Sequence, residues 1–263
     1  MDNFFEKMKF SSIKRAKTLD VEHLKAEAYR RAENENIDLT SFYSSKRFLT
    51  IAEIKKASPS EGAFESEIDI LMRAREYQTA GVDIISVLTE PEHFAGSIDD
   101  IEKISSLVDT PIMRKDFLVD LAQIYEAKVA GASGVLLIAK ILDQKSLELL
   151  LVEAHKLNMF VLLEAFDAND LSLMKSIKHP FLAGINCRNL ENMTIEFSRF
   201  RMLRELMPSN RRLIAESGIS NIFNLCELVS LNYSGALIGS MLMRCKTVPL
   251  LQAKLNEIKG IVK

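Results

Sequence analysis

At 263 residues, 48% hydrophobic and 27% charged, the chain is ordinary globular material, long enough to bury a sizeable core. A formal net charge of -2 gives no electrostatic reason to meet nucleic acid or a membrane surface, and no apolar run is long enough to cross a bilayer. Cys187, Cys226 and Cys245 are odd in number and far apart, which argues for reduced thiols; with charges breaking up MDNFFEKMKFSSIKRAK, a cytoplasmic protein is expected.

Residues 1–46 read as a helical extension. Within it Ile13-Lys14-Arg15-Ala16-Lys17 is a small basic run, read as a solvated helix face. Residues 47–263 repeat one pattern, in which a short apolar run meets a polar or charged residue, a loop, and then a helix-period stretch. The runs are FLTIAEI (48–54), DIISVL (83–88), PIMR (111–114), GVLLIA (134–139), MFVLLEA (159–165), LAGIN (182–186), RLIAES (212–217) and GALIG (235–239). Near-continuous apolar runs suit parallel strands buried on both faces.

The helices between them have readable ends. Ala80-Gly81 and Ala130-Gly131 close two of them, because glycine accepts the left-handed conformation that ends a helix. Ser97 and Asp100 form a capping box ahead of Ile98, Ile101, Ile104 and Val108. Asp143 caps a helix striped by Leu147, Leu150, Leu151 and Ala154, and Ser220 opens another with Phe223, Cys226 and Val229 inward. Eight such units predict a single-domain α/β fold, a (β/α)8 TIM barrel with an N-terminal helical extension; periodicity by itself leaves an open sheet as the alternative.

In a barrel of this kind, charge at the C-terminal strand ends reads as catalytic. Those ends carry Glu53 and Lys55, Lys115 and Asp116, Glu164, Asn186 and Arg188, then Glu216 and Ser217. Desolvated charges on converging strands need each other or a charged ligand. Both signs aimed at one space fit an anionic ligand handled by proton transfer. Ser217-Gly218 and Gly239-Ser240 directly follow their strands, where backbone N–H groups can hold phosphate. His23, His93, His155 and His179 are scattered and form no HExxH, so no metal is expected. The residues therefore point to a barrel enzyme for a phosphorylated small molecule, using lysine and glutamate without a cofactor.

At these same positions the chain resembles the indole-3-glycerol-phosphate synthase family. The stretches that carry the likeness are IAEIKKASPS (51–60), SVLTEPEHFAGS (86–97), RKDF (114–117), QIYEAKVAGASGVLLI (123–138), INCRNL (185–190), AESGI (215–219) and IGSMLMR (238–244). They stand in the family's order, and EIKKASPS with RKDF is the sharpest pair. The resemblance implies a carboxy-lyase of tryptophan biosynthesis that acts on 1-(2-carboxyphenylamino)-1-deoxyribulose 5-phosphate. It implies Lys115 as general acid and Glu164 as its acid–base partner in dehydration, supported by Glu53 and Asn186. Lys55 would meet the anionic groups, Ser58 and Arg188 the anthranilate end, and Phe94, Phe117, Leu136 and Leu190 the aromatic ring. Ser217, Gly218, Gly239 and Ser240 would hold phosphate, with Glu216 orienting its neighbours. A lysine crowded by cations would have a lowered pKa, helping it donate near neutrality.

Three departures from the family pattern stand out. Phe166 occupies a position often polar in relatives, Cys187 replaces a frequent Asn or Ser, and Glu61 replaces a frequent Lys. Two other functions fit the same fold: a phosphosugar barrel such as phosphoribosylanthranilate isomerase, or a silent barrel serving as a binding subunit. The first would use a cysteine–aspartate pair, and no strand-end cysteine stands in place of Glu53 or Lys55. The second would lack Lys115 or Glu164. A monomer is the expected state.

Overall fold

The computed structural model describes residues 4–35, 38–58, 62–63, 69–190, 192–207 and 210–261. Its main strands are β1 (Leu49–Ile54), β2 (Ile84–Leu88), β3 (Ile112–Lys115), β4 (Gly134–Ile138), β5 (Phe160–Ala165), β6 (Leu182–Asn186), β7 (Leu213–Glu216) and β8 (Gly235–Ile238). Each pairs in parallel with the next, and β8 returns to β1 from Leu49↔Gly235 to Ala52↔Ile238. The sheet is therefore a closed barrel, not an open sheet, and it has no unpaired edge. Both faces are buried along the strands, which explains their lack of strict alternation. A short antiparallel pair, Ala57–Ser58 with Gly62–Ala63, follows β1.

Ahead of the barrel come α1 (Phe4–Ala16), α2 (Val21–Glu33) and α3 (Leu39–Ser44). The later helices are α4 (Ile70–Ala80), α5 (Pro91–Phe94), α6 (Ile98–Ser105), α7 (Leu121–Ala130), α8 (Gln144–Lys156) and α9 (Ala168–Ser176). They continue with α10 (Arg199–Arg204), α11 (Ile222–Ser230), α12 (Ser240–Met243) and α13 (Val248–Ile261). Gly81 and Gly131 end α4 and α7 at φ 78° and 100°, a region that penalises any residue with a Cβ. The Ser97–Asp100 box opens α6, and Asp143 caps α8 by accepting from the Ser146 N–H. Leu147, Leu150, Leu151 and Ala154 of α8 are all buried.

The expectation for α11 is corrected. Asn221, not Ser220, is its N-cap and pairs with Asn224 in a capping box. The buried face is Leu225 and Leu228, whereas Phe223 is 79% exposed and Cys226 is also exposed. The stripe through Phe223, Cys226 and Val229 has helical spacing as well, so periodicity could not choose between the two faces.

The extension wraps the barrel from end to end. Toward the C-terminal strand ends, Phe5 of α1 meets Phe166 edge-on, ring centroids 4.9 Å apart. Beside the barrel wall α2 lies against α7. At the opposite end Phe42 of α3 stacks on Phe160 at 4.5 Å, and Arg212 donates to the carbonyls of Phe42, Arg47 and Ser234. The basic run is not simply a solvated face either. Arg15 reaches inward, with both terminal nitrogens on the buried Asp116 carboxylate. No described helix is long and apolar enough to cross a membrane.

Candidate active site

Register brings the charged strand ends to one level. Leu88 pairs with Lys115, Ile138 with Glu164, and Asn186 with Glu216. Above that level lies a cavity of about 380 Å³. Glu53, Lys55, Lys115, Glu164, Asn186, Arg188 and Glu216 line it as charged or polar groups, and Phe94, Phe117, Leu136 and Leu190 as apolar wall. Ser217, Gly218, Gly239 and Ser240 complete the set read from the sequence. The side chain of Ser58 and the whole of Glu61 lie outside the described residues.

Neighbours fix these side chains. Lys55 Nζ lies 2.9 Å from Glu53 Oε1 and 3.5 Å from Ser240 Oγ, spanning the carboxylate and the loop after β8. Asn186 donates to Glu164 at 2.6 Å while its carbonyl accepts the Arg188 N–H at 2.9 Å, and that second bond sets which end of the amide faces Glu164. Phe94 sits on the single turn of α5, capped by the Glu90 carboxylate, which accepts from the N–H groups of Glu92, His93 and Phe94. At Gly184 a Cβ would run into Glu216, and at Gly239 it would run into the Glu53 carboxylate. Both glycines thus make room for acids of the site.

The charges are strongly coupled because Glu53, Glu164 and Glu216 are buried and Lys115 is half-buried among them. Burial pulls the Lys115 ammonium down, but Glu164, Glu53 and Glu216 outweigh it and raise its pKa. This corrects the expectation of a lowered lysine: carboxylates, not cations, dominate its surroundings. Burial raises Glu53 in turn, yet Lys55 and Lys115 carry it below its usual value. Glu164 is raised, chiefly by burial. Glu216 stands well above the carboxylate range through burial and then the neighbouring Glu164. Its two oxygens are buried and meet no donor among the described residues. A proton held between Glu216 and Glu164 answers both observations.

In barrel order β7 stands four strands from β3, and β8 four from β4, so the two glycine-serine loops face Lys115 across the cavity. Ser217 and Gly218 follow β7 with φ 67° and 70°. A serine held left-handed is strained, a feature that gathers at functional sites.

Sequence reading missed part of the wall. Leu88, Ile138 and Leu237 line the cavity from strand ends already identified, and Arg244 closes a stretch already singled out. Phe4 comes from α1, and Met193 and Ile195 from the hairpin after β6, where no sequence signal marks an inward face. Phe166 is 5% exposed and Cys187 is fully buried, so both departures from the family pattern are packing residues. Outside the cavity, Glu90, Glu92 and His93 bring ligand atoms within 4.8 Å of one another, but the Glu90 carboxylate is already engaged as a helix cap.

Residues 3–255 match the model of the indole-3-glycerol phosphate synthase family. A protein of that description from Campylobacter fetus subsp. fetus is 43% identical over 201 residues, covering 75% of this chain and 76% of the relative. Another from Aliarcobacter butzleri is 36% identical over 263 residues, covering 99% and 98%. Among solved structures, 3-hexulose-6-phosphate synthase from Salmonella typhimurium superposes with a TM-score of 0.64 at 12% identity, covering 82% of this chain and 98% of that one. Orotidine 5'-phosphate decarboxylase from Pyrococcus horikoshii gives 0.60 at 11%, covering 81% and 100%. These two similarities speak to the fold alone.

Proposed function

Since this chain belongs to the indole-3-glycerol phosphate synthase family, we propose that its cavity closes the indole ring of 1-(2-carboxyphenylamino)-1-deoxyribulose 5-phosphate by lysine–glutamate acid–base chemistry. The observation that carries the mechanism is a half-buried Lys115 among the buried Glu53, Glu164 and Glu216, facing two glycine-serine loops across one cavity.

Ring closure joins the carboxyl-bearing ring carbon to the ribulose carbonyl carbon. Lys115 delivers a proton to the carbonyl oxygen as charge develops there, in a site where water exclusion strengthens the effect. The new bond leaves an iminium within the substrate. That iminium accepts the electron pair when the carbon–carboxylate bond breaks and CO2 departs. Dehydration then expels the new hydroxyl as water and removes a proton from the adjoining carbon, with Glu164 as the acid–base group. Asn186 orients Glu164, and Glu53 keeps Lys115 charged. The substrate supplies its own electron sink, so neither metal nor cofactor enters the scheme.

Ser217, Gly218, Gly239 and Ser240 hold the phosphate, with Lys55 beside Ser240 as countercharge. Ser58 and Arg188 take the anthranilate carboxylate, Glu216 orients its neighbours, and Phe94, Phe117, Leu136 and Leu190 wall the ring. We take residues 1–46 as an extension of a single barrel unit, 47–263. We read the chain as a monomer; the odd, scattered cysteines support a cytoplasmic enzyme, and the near-zero net charge gives no reason for a nucleic-acid or membrane partner.

Purified protein given the carboxyphenylamino-deoxyribulose phosphate should develop indole fluorescence. Lys115→Ala should lose about 10²–10⁴-fold in kcat, the usual worth of general acid–base assistance. Full activity in that variant would refute the mechanism; no product from well-folded wild type would refute the substrate.

A further inference from the structure

Immediately after Lys115 lies a polar network that the acid–base chemistry leaves unused. The Asp116 carboxylate is fully buried and accepts from five donors. Two are Arg15 Nη1 and Nη2 at 2.9 and 2.8 Å, from α1, a hundred residues earlier in the chain. The others are Thr89 Oγ1 at 2.8 Å, Arg114 Nη2 at 3.3 Å and the Phe117 N–H at 2.8 Å. Thr89 also donates its backbone N–H to the carbonyl of Lys115 at 3.0 Å. On the far side Ser12 of α1 donates to the Phe117 carbonyl and accepts from Gln123 at 2.8 Å. Residues 115–117 are thus held by their own strand, by the end of β2 and by α1.

Such a network has little freedom to relax. A carboxylate saturated by donors is fixed in direction, and a bidentate guanidinium fixes its plane as well. Its pKa, held at about 2 despite burial, by Arg15 and then Arg114, shows that it stays charged. The lysine next to it projects into the cavity from the last position of β3, and the residue that follows cannot move without breaking this pairing. Small displacements of a catalytic group have large effects on rate.

We propose that Arg15 and Asp116 are positioning residues for Lys115: their bidentate pair pins the turn after β3 and makes docking of α1 a condition of turnover. The proposal rests on Lys115 as the general acid. If Arg15 served only to hold α1, whose Phe4 walls the cavity, its loss would weaken substrate binding or stability and leave the chemical step alone.

Steady-state kinetics and thermal midpoints of Arg15→Ala and Arg15→Lys, beside wild type and Lys115→Ala, separate these cases. Arg15→Ala should lower kcat on the order of 10- to 100-fold, the scale of a misplaced catalytic group, while KM stays within about two-fold. Arg15→Lys, which cannot bridge both oxygens, should fall between that variant and wild type. Guanidinium ion at millimolar concentration should restore part of the kcat of Arg15→Ala, whereas sodium chloride at equal ionic strength should not. An unchanged kcat with a lower midpoint, a rise confined to KM, or a kcat loss that guanidinium leaves untouched each overturns the proposal. If Lys115→Ala alone kept the wild-type kcat, the general-acid assignment would fall first and this inference with it; if wild type gave no indole, the substrate reading would be the one at fault.

Discussion

At the scale of single residues, Glu216 bears most directly on the chemistry. Its carboxylate oxygens meet no donor group among the described residues, and it shares its surroundings with Glu164 and sits well above the usual range. Glu164 and Glu216 therefore titrate as a pair that still holds a proton where isolated carboxyls have lost theirs. Replacing Glu216 by Gln removes a carboxyl whose charge helps to raise Lys115, so the Lys115 pKa falls in the variant. The alkaline limb of the kcat–pH profile should then move to lower pH than in wild type, because the proton needed for ring closure leaves earlier. A limb that stays in place would show that Glu216 does not tune Lys115. Which acids converge at the strand ends was legible in the sequence, since strand period and the end-of-strand rule place them without coordinates. The direction of the lysine shift was not. It depends on the balance of three acids against burial, and spacing along the chain carries no information on either.

The helices show where one-dimensional reading stops. Caps are local chemistry, so Ser97, Asp143, Gly81 and Gly131 could be placed from neighbouring residues alone. The inward face of α11 is a tertiary choice, and there the exposed Phe223 misled while Leu225 and Leu228 took the core. For α1 the deciding partners lie far along the chain: Phe5 meets Phe166, and Arg15 meets Asp116. The aromatic at 166 therefore acts on an element, not on Glu164 two residues away. Phe→Ala in a buried site costs about 3–5 kcal/mol, and the lower end applies where a helix end can loosen to fill the space. Phe166→Ala should fray the first turns of α1 while Arg15 still anchors its last turn. Phe4 would then leave the cavity wall, raising KM several-fold with kcat little changed, and amide exchange should quicken in the first half of α1. Protection equal to wild type would mean that Phe5 and Phe166 do not hold the helix.

Over the whole molecule, the strand runs read from the sequence match the observed ones to within a residue at each end, because burial on both faces leaves an unbroken apolar signature. Closure of the sheet was not in that signature; it appears only in the pairing of β1 with β8. The other feature beyond sequence reach is how the extension joins the two ends of the barrel. At the end away from the cavity, Tyr43 of α3 accepts the Val161 N–H at 2.9 Å and lies 3.0 Å from His155 Nε2. With its oxygen accepting from Val161, the hydroxyl donates to His155 Nε2 in the neutral tautomer that carries its proton on Nδ1. Burial, then His179, holds the pKa of His155 down at about 4 against 6.5. The unfolded chain thus takes up this proton first as pH falls. The stability that His155 contributes is intact above pH 6.5 and is lost progressively toward about 4. Asp116 acts lower down: its stabilisation is present above 3.8 and is lost as pH falls toward about 2. Urea unfolding followed across this range should therefore weaken in two stages, one set by each end of the barrel. His155→Gln keeps an acceptor for Tyr43 but cannot titrate. Its stability near neutrality should stay within about 1 kcal/mol of wild type, the net worth of one hydrogen bond, while its loss between pH 6.5 and 4 becomes shallower. The stage governed by Asp116 should be unaltered, since it belongs to the opposite end. An unchanged slope in the upper range would place the acid sensitivity elsewhere than in the Tyr43–His155 bond.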